Sequence, residues 1–141
     1  MTIATAIAQR ITDAFNAGDV DAFAACFTAD AVQTHPFFPS PLRGRDAIRA
    51  AESTLFGAFD DIHLHVTNIV DAGDRVAIEF AVTATNTRPI PMPDGTTVPA
   101  TGKTVQLTMG AFLQLDSDGQ ITESHRYQDN LAFLQQLGLG A

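Results

Sequence analysis

The spacing of apolar residues shifts near Asp61 from a mainly helical to a strand period, and that change restricts the fold more than any other feature; ahead of it only the start of "TADAVQTHPFFPSPLRG" reads as a short extended run. Before it, Ile3, Ile7, Ile11 and Phe15 recur every four residues in "TIATAIAQRITDAFNAGD", with polar residues between them. That is the spacing of an amphipathic helix. Gly18 suits the C-terminal cap of this helix, and Asp19 can cap a short second helix through "VDAFAACF", with Phe23 and Phe27 on its apolar side. A third helix is expected in "RDAIRAAESTLFGAF", through Ile48, Ala51, Leu55 and Phe59. From Asp61 onward the period is two, in "IHLHVTNIV", "RVAIEFAVTATNT", "KTVQLTMGAFLQL" and "QITESHRYQ". "DAGD" and "DSDG" between them are short enough for hairpins, and the longer "RPIPMPDGTTVPATG" can include a hairpin tip or a mobile lip. Helices followed by strands predict an α+β fold in which N-terminal helices pack on a curved antiparallel sheet and enclose a pocket.

Composition narrows the partners. With 141 residues, 45% of them apolar, the chain reads as one domain over residues 1–141. A formal charge of -8 repels phosphate backbones and anionic lipid, which argues against nucleic acid and membrane partners. Cys26 is the only cysteine, so no intramolecular disulfide forms, and its place in an apolar helix suits a core residue. "MTIATAIAQRITDAF" lacks the basic start and apolar run of a secretory leader, and no window is long and apolar enough to span a membrane. The expected location is the cytoplasm.

Candidate chemistry concentrates at the end of the chain, in "GQITESHRYQDNLAFLQQLGLGA". Period two through "QITESHRYQD" groups Ile121, Glu123, His125, Tyr127 and Asp129 on one face and Thr122, Ser124, Arg126 and Gln128 on the other. A face that mixes apolar and titratable groups suits a pocket wall, so His125, Tyr127 and Asp129 are expected to face the pocket and Arg126 to face outward. His125 and Asp129 lie roughly 13 Å apart along such a strand and would act on separate parts of a ligand. Asp129 can equally cap the helix "NLAFLQQL". "THPFFPSPLRG" breaks regular structure with three prolines and a glycine, leaving His35 at a strand end and Phe37 and Phe38 as lid or interface aromatics. His63 and His65 alternate with Ile62, Leu64 and Val66, a pattern of a solvated strand face, and no metal is expected.

The order of "NAGDVDAFAACFTADAV", "HP", "LRGRDAIRA", "AFDDIHLHV", "GDRVAIEF", "PATGKTVQL" and "GQITESHRYQDNLAFLQQLG" resembles the SnoaL-like polyketide cyclases. These belong to the cone-shaped α+β barrel superfamily of nuclear transport factor 2 and ketosteroid isomerase. The resemblance implies an intramolecular aldol reaction on a small hydrophobic carbonyl compound, without metal or organic cofactor. It implies Asp129 as the catalytic acid/base, with His35 and His125 as supporting catalytic candidates and Tyr127, Phe37 and Phe38 against the substrate. It also implies a homodimer formed through the free face of the sheet. Where many members carry Trp this chain has His125, and it contains no Trp. In "QTHP", His35 occupies the position of the isomerase's catalytic aspartate, while the isomerase's oxyanion donors fall near Ile11 and Ala111, which have no side-chain donor. The alternatives are a non-catalytic small-molecule-binding domain, or an isomerase or hydrolase using His35 as base.

Overall fold

The computed structural model describes residues 1–140. Helix α1 (Ile3–Ala17) and the short α2 (Val20–Ala24) lead into β1 (Phe27–Thr34) and β2 (Leu42–Arg43). Helix α3 (Arg45–Phe56) then precedes β3 (Phe59–Asp71), β4 (Arg75–Asn86), β5 (Ile90–Pro91), β6 (Thr97–Val98), β7 (Thr104–Leu115) and β8 (Ile121–Gln128), and α4 (Asn130–Gln136) closes the chain. Gly18 ends α1 in the left-handed region at φ 64°, its N–H donating to Ala14 and Phe15 carbonyls, and Asp19 caps α2. The buried stripe of α1 is Ala4, Ile7, Ala8, Ile11, Ala14 and Phe15, while Ile3, the first residue of the helix, is exposed. A strict four-residue repeat drifts off one face of a helix with 3.6 residues per turn. Phe27, expected on the second helix, instead opens β1 and is buried in the core beside Cys26.

Six strands form one sheet in the order β2-β1-β8-β7-β4-β3, and β5 and β6 form a small separate hairpin within the proline-rich segment. The expected antiparallel sheet is corrected to a mixed one, because β1 runs parallel to β8. Most of the chain separates those two strands, so no hairpin obliges them to run in opposite directions. Bulges in β3, between Asp60 and His63 and between Val66 and Asn68, and in β8 next to Ile121 curve the sheet. The first is accommodated by Asp61 at φ 53°. The concave face packs Val76, Ile78, Phe80, Ala111 and Leu113 against the buried stripe of α1 and Ile48 of α3. A second apolar cluster, built from Phe59, Ala84, Ile90, Val105, Phe133 and Leu137, closes the wide end. No helix among the described residues is long and apolar enough to cross a membrane.

One buried amide ties this wide end together. Asn86 is fully buried, its Nδ2 donates to the carbonyls of Ala58 and Arg88 at 2.9 Å each, and its Oδ1 accepts from Thr101 N at 2.7 Å and Thr101 Oγ1 at 3.0 Å. It thereby joins the start of β3, the end of β4 and the entry to β7 through a network with every polar atom satisfied. Replacing Asn86 by Ala strands buried carbonyl and amide groups and should cost about 3 kcal/mol, read as a lowered urea midpoint at unchanged slope.

Candidate functional site

The concave face and the helices line a partly open cavity of about 70 Å³. Its wall is apolar through Phe15 of α1, Leu55 and Phe56 of α3, Phe59 and Ile62 of β3, Val82 of β4 and Met109 of β7. Glu52 of α3 and Arg126 and Gln128 of β8 are its polar members. Arg126 Nη1 donates to both carboxylate oxygens of Glu52, at 3.0 and 3.2 Å, and their side chains are only 9% and 1% exposed. The guanidinium carbon also lies 5.9 Å from the centre of the Phe15 ring. Two charges persist in such surroundings because each is the other's partner.

Arg126 reaches this position through an irregularity in β8. Leu115 pairs with Ile121 and Gln114 with Glu123, so Thr122 is an extra residue on β8. A one-residue bulge inverts the alternation beyond it. Ile121 is buried before the bulge, and Ser124, Arg126 and Gln128 turn inward after it. Glu123, His125 and Tyr127 turn outward. Glu123, His125 and Tyr127 are therefore separated from Ser124, Arg126 and Gln128 as strand parity predicts, but with their faces exchanged, and Ile121 parts from the first set to share the buried side with the second.

This inversion relocates several candidates. The His125 side chain is 39% exposed on the convex face, its Nδ1 2.9 Å from Thr34 Oγ1 and its Nε2 2.8 Å from Glu123 Oε1. Tyr127 is 58% exposed and packs edge-on against Phe112 on the same face. The Asp129 carboxylate is at the N-terminus of α4, accepting from Ala132 N at 2.9 Å, exposed and outside the cavity wall. The expectation of a pocket-facing His125, Tyr127 and Asp129 is corrected on these grounds. The cap on α4 still serves the cavity, because it orients the helix whose Phe133 closes the wall.

His35 and the proline-rich loop stand where the strand-end position suggested. His35 is 3% exposed, and its Nδ1 accepts from Phe37 N at 3.1 Å, which leaves the ring proton on Nε2, without a partner among the described residues. Phe37 lines the cavity and packs against Phe133, whereas Phe38 lies outside the cavity wall, against the His35 ring. Asn130 Nδ2 donates to the Pro36 carbonyl at 2.6 Å, fastening the loop to α4. His63 and His65 are exposed, and no cluster of three metal-ligating side chains occurs among the described residues.

Glu52, which is not among the sequence candidates, does carry a signal in the sequence. Within "RDAIRAAESTLF", Ile48, Ala51 and Leu55 define the apolar stripe, and Glu52 falls inside that stripe, four residues after Ile48. A carboxylate in a buried stripe requires a buried partner.

Burial, reinforced by the nearby positive charge of Arg126, pushes His35 down from 6.5 to about 2. Below pH 6.5 the unfolded chain therefore takes up a proton that the folded chain refuses. The stabilisation from a neutral His35 is complete above that pH and is lost on acidification, by roughly 1.4 kcal/mol per pH unit. Urea unfolding at pH 7, 6 and 5 should show the native protein losing stability faster than the His35→Gln variant. Parallel profiles would show that His35 does not titrate on unfolding.

Comparison with known proteins places this geometry. Residues 8–124 match the model of the SnoaL-like domain. A candidate polyketide cyclase from Xanthomonas campestris pv. campestris is similar in structure, with 28% identity, a TM-score of 0.75, and 96% of each chain covered. AclR, a candidate hydroxylase from Streptomyces galilaeus, has 26% identity and a TM-score of 0.77, covering 96% of this chain and 95% of its own. A protein of ketosteroid isomerase-like fold from Catenulispora acidiphila has a TM-score of 0.75 at 20% identity, covering 94% and 92%, and supports the fold alone. Among proteins with curated functions, none matches the sequence. A cone of helices on a curved sheet, a family match over most of the chain and these structural likenesses agree: the chain belongs to the SnoaL-like family.

Proposed function

We propose that this chain is an enzyme of the SnoaL-like type that acts on a small hydrophobic carbonyl compound by acid/base catalysis, with Glu52 as the proton-transferring carboxylate and Arg126 as its electrostatic partner. The observation that carries this reading is the buried Glu52–Arg126 pair in a wall that is apolar apart from Gln128. Aldol chemistry begins by removing a proton from the carbon beside a carbonyl. When Glu52 takes that proton it loses its negative charge, and the enolate oxygen gains one. Arg126 can then balance the enolate as it balanced the carboxylate, so the net charge of the cavity is the same before and after the transfer. The aldol closure of a second carbonyl by this enolate, and the return of the proton to oxygen, complete the cyclase reaction without a cofactor.

Asp129 and His35 fit other roles in this scheme. The Asp129 carboxylate is engaged at the N-terminus of α4, which supports helix capping over proton transfer. Neutral His35 presents an N–H at Nε2 and uses Nδ1 on a backbone amide, which supports a hydrogen-bond donor rather than a base. Exposed Val70, Phe112 and Tyr127 on the convex face support a homodimer through that face. A second reading, a binding domain without turnover, draws on the same ion pair, since a buried pair joining helix to sheet is also a structural device.

The test is deuterium incorporation beside the carbonyl of 2-indanone in D2O, followed by NMR. The native protein should accelerate it, Glu52→Gln should lose about 100-fold or more of that acceleration, and Asp129→Asn should keep it. Circular dichroism and a Glu52→Asp variant separate lost catalysis from lost folding. Exchange that survives Glu52→Gln, or disappears in a folded Asp129→Asn protein, would refute the assignment, and no acceleration by the native protein would favour the binding domain.

A further inference from the structure

Behind Arg126, at the narrow end of the cone, a second and smaller recess adjoins the cavity, and Phe15 and Arg126 line both. It offers about 20 Å³, enough for one oxygen-sized atom. Its polar members are Gln33, Ser124 and Arg126, set among Phe27, Phe80 and Leu113. The parallel pairing of β1 with β8 puts Gln33 directly beside Ser124. Both are 1% exposed.

The hydrogen bonds in this recess leave donors over. The Ser124 hydroxyl donates to Gln33 Oε1 at 3.0 Å, which orients the amide. Gln33 Nε2 then has no partner among the described residues, although it is fully buried. Arg126 makes its side-chain hydrogen bonds to Glu52 through Nη1, so further guanidinium N–H groups remain. A buried donor is costly to leave without an acceptor, so a ligand acceptor entering the recess gains a desolvated hydrogen bond from Gln33 Nε2.

We infer that this recess is a subsite for a single acceptor oxygen of the ligand, a ketone or carboxylate oxygen, with Gln33 as the residue that selects for it. The inference rests on the small-molecule reading of the cavity and deepens it. The apolar body of the ligand lies among the aromatic side chains of the main cavity, and its oxygen points past Phe15 toward Gln33 and Arg126. The substrate class is then compounds with an acceptor-only oxygen at one end of an apolar skeleton. Alcohols, which bring a donor hydrogen to a set of donors, are disfavoured.

Three probes of one skeleton test this: 2-indanone, 2-indanol and indane, titrated by NMR against the full chain. The native protein should bind 2-indanone roughly tenfold tighter than indane, with 2-indanol between them. In Gln33→Met, which retains the shape of the side chain, the ketone preference should shrink toward parity. In Gln33→Glu, whose charge Arg126 can neutralise, it should fall below the preference for the alcohol. If indane and 2-indanone bind the native protein equally, or if Gln33→Met and Gln33→Glu keep the native ratio, the cavity reading survives and the subsite is refuted. A native preference for 2-indanol would show the amide presenting its carbonyl instead, and equally refutes it. If none of the three binds, the small-molecule reading fails and the subsite fails with it.

Discussion

The arrangement of this molecule turns on one buried ion pair. Glu52 on α3 and Arg126 on β8 meet inside an apolar cone, where neither charge would be tolerated alone. Their contact joins the helical layer to the sheet and sets the polarity of the cavity between them. Removing one partner leaves a buried charge, and replacing both with apolar groups would leave a dry core. The pair is therefore a specific feature of an otherwise greasy interior, and it is where a polar ligand group can find opposite charge already oriented.

Around that pair the fold supplies a lid made of short pieces. Asp129 caps α4, Asn130 holds the Pro36 carbonyl, and Phe133 and Phe37 pack edge-on over the cavity. Each contact is modest, but together they make the position of the last helix depend on the proline-rich loop. Asp129 acts on the site at one remove, through the helix that it starts. At the opposite, narrow end the polar groups Gln33 and Ser124 are held by neighbouring strands rather than by loops, so their positions are more rigid.

The architecture was legible because hydrophobic period reports burial directly. The caps at Gly18, Asp19 and Asp129 and the hairpins at "DAGD" and "DSDG" followed from local backbone chemistry. His35 at its strand end and the proline-rich loop were legible for the same reason. The site was less so. Ile121 is buried and made a natural phase marker for β8, but the bulge at Thr122 lies one residue beyond it and reverses every later side chain. A single extra residue leaves no mark on composition.

What the sequence alone determined is the set of elements and the pairs of alternatives: helices then strands, and Arg126 on the face opposite His125 and Tyr127. Those are local properties, written in periods of 3.6 and two and in capping residues. The tertiary structure decided which face is the inside, because inside and outside are defined only when the curved sheet closes on the helices. Glu52 of α3 and Arg126 of β8 are far apart in the chain, and the parallel β1–β8 pairing that sets Gln33 beside Ser124 is a long-range contact. Neither juxtaposition is encoded in any short window, and together they supply the buried polar groups of the cavity and its recess.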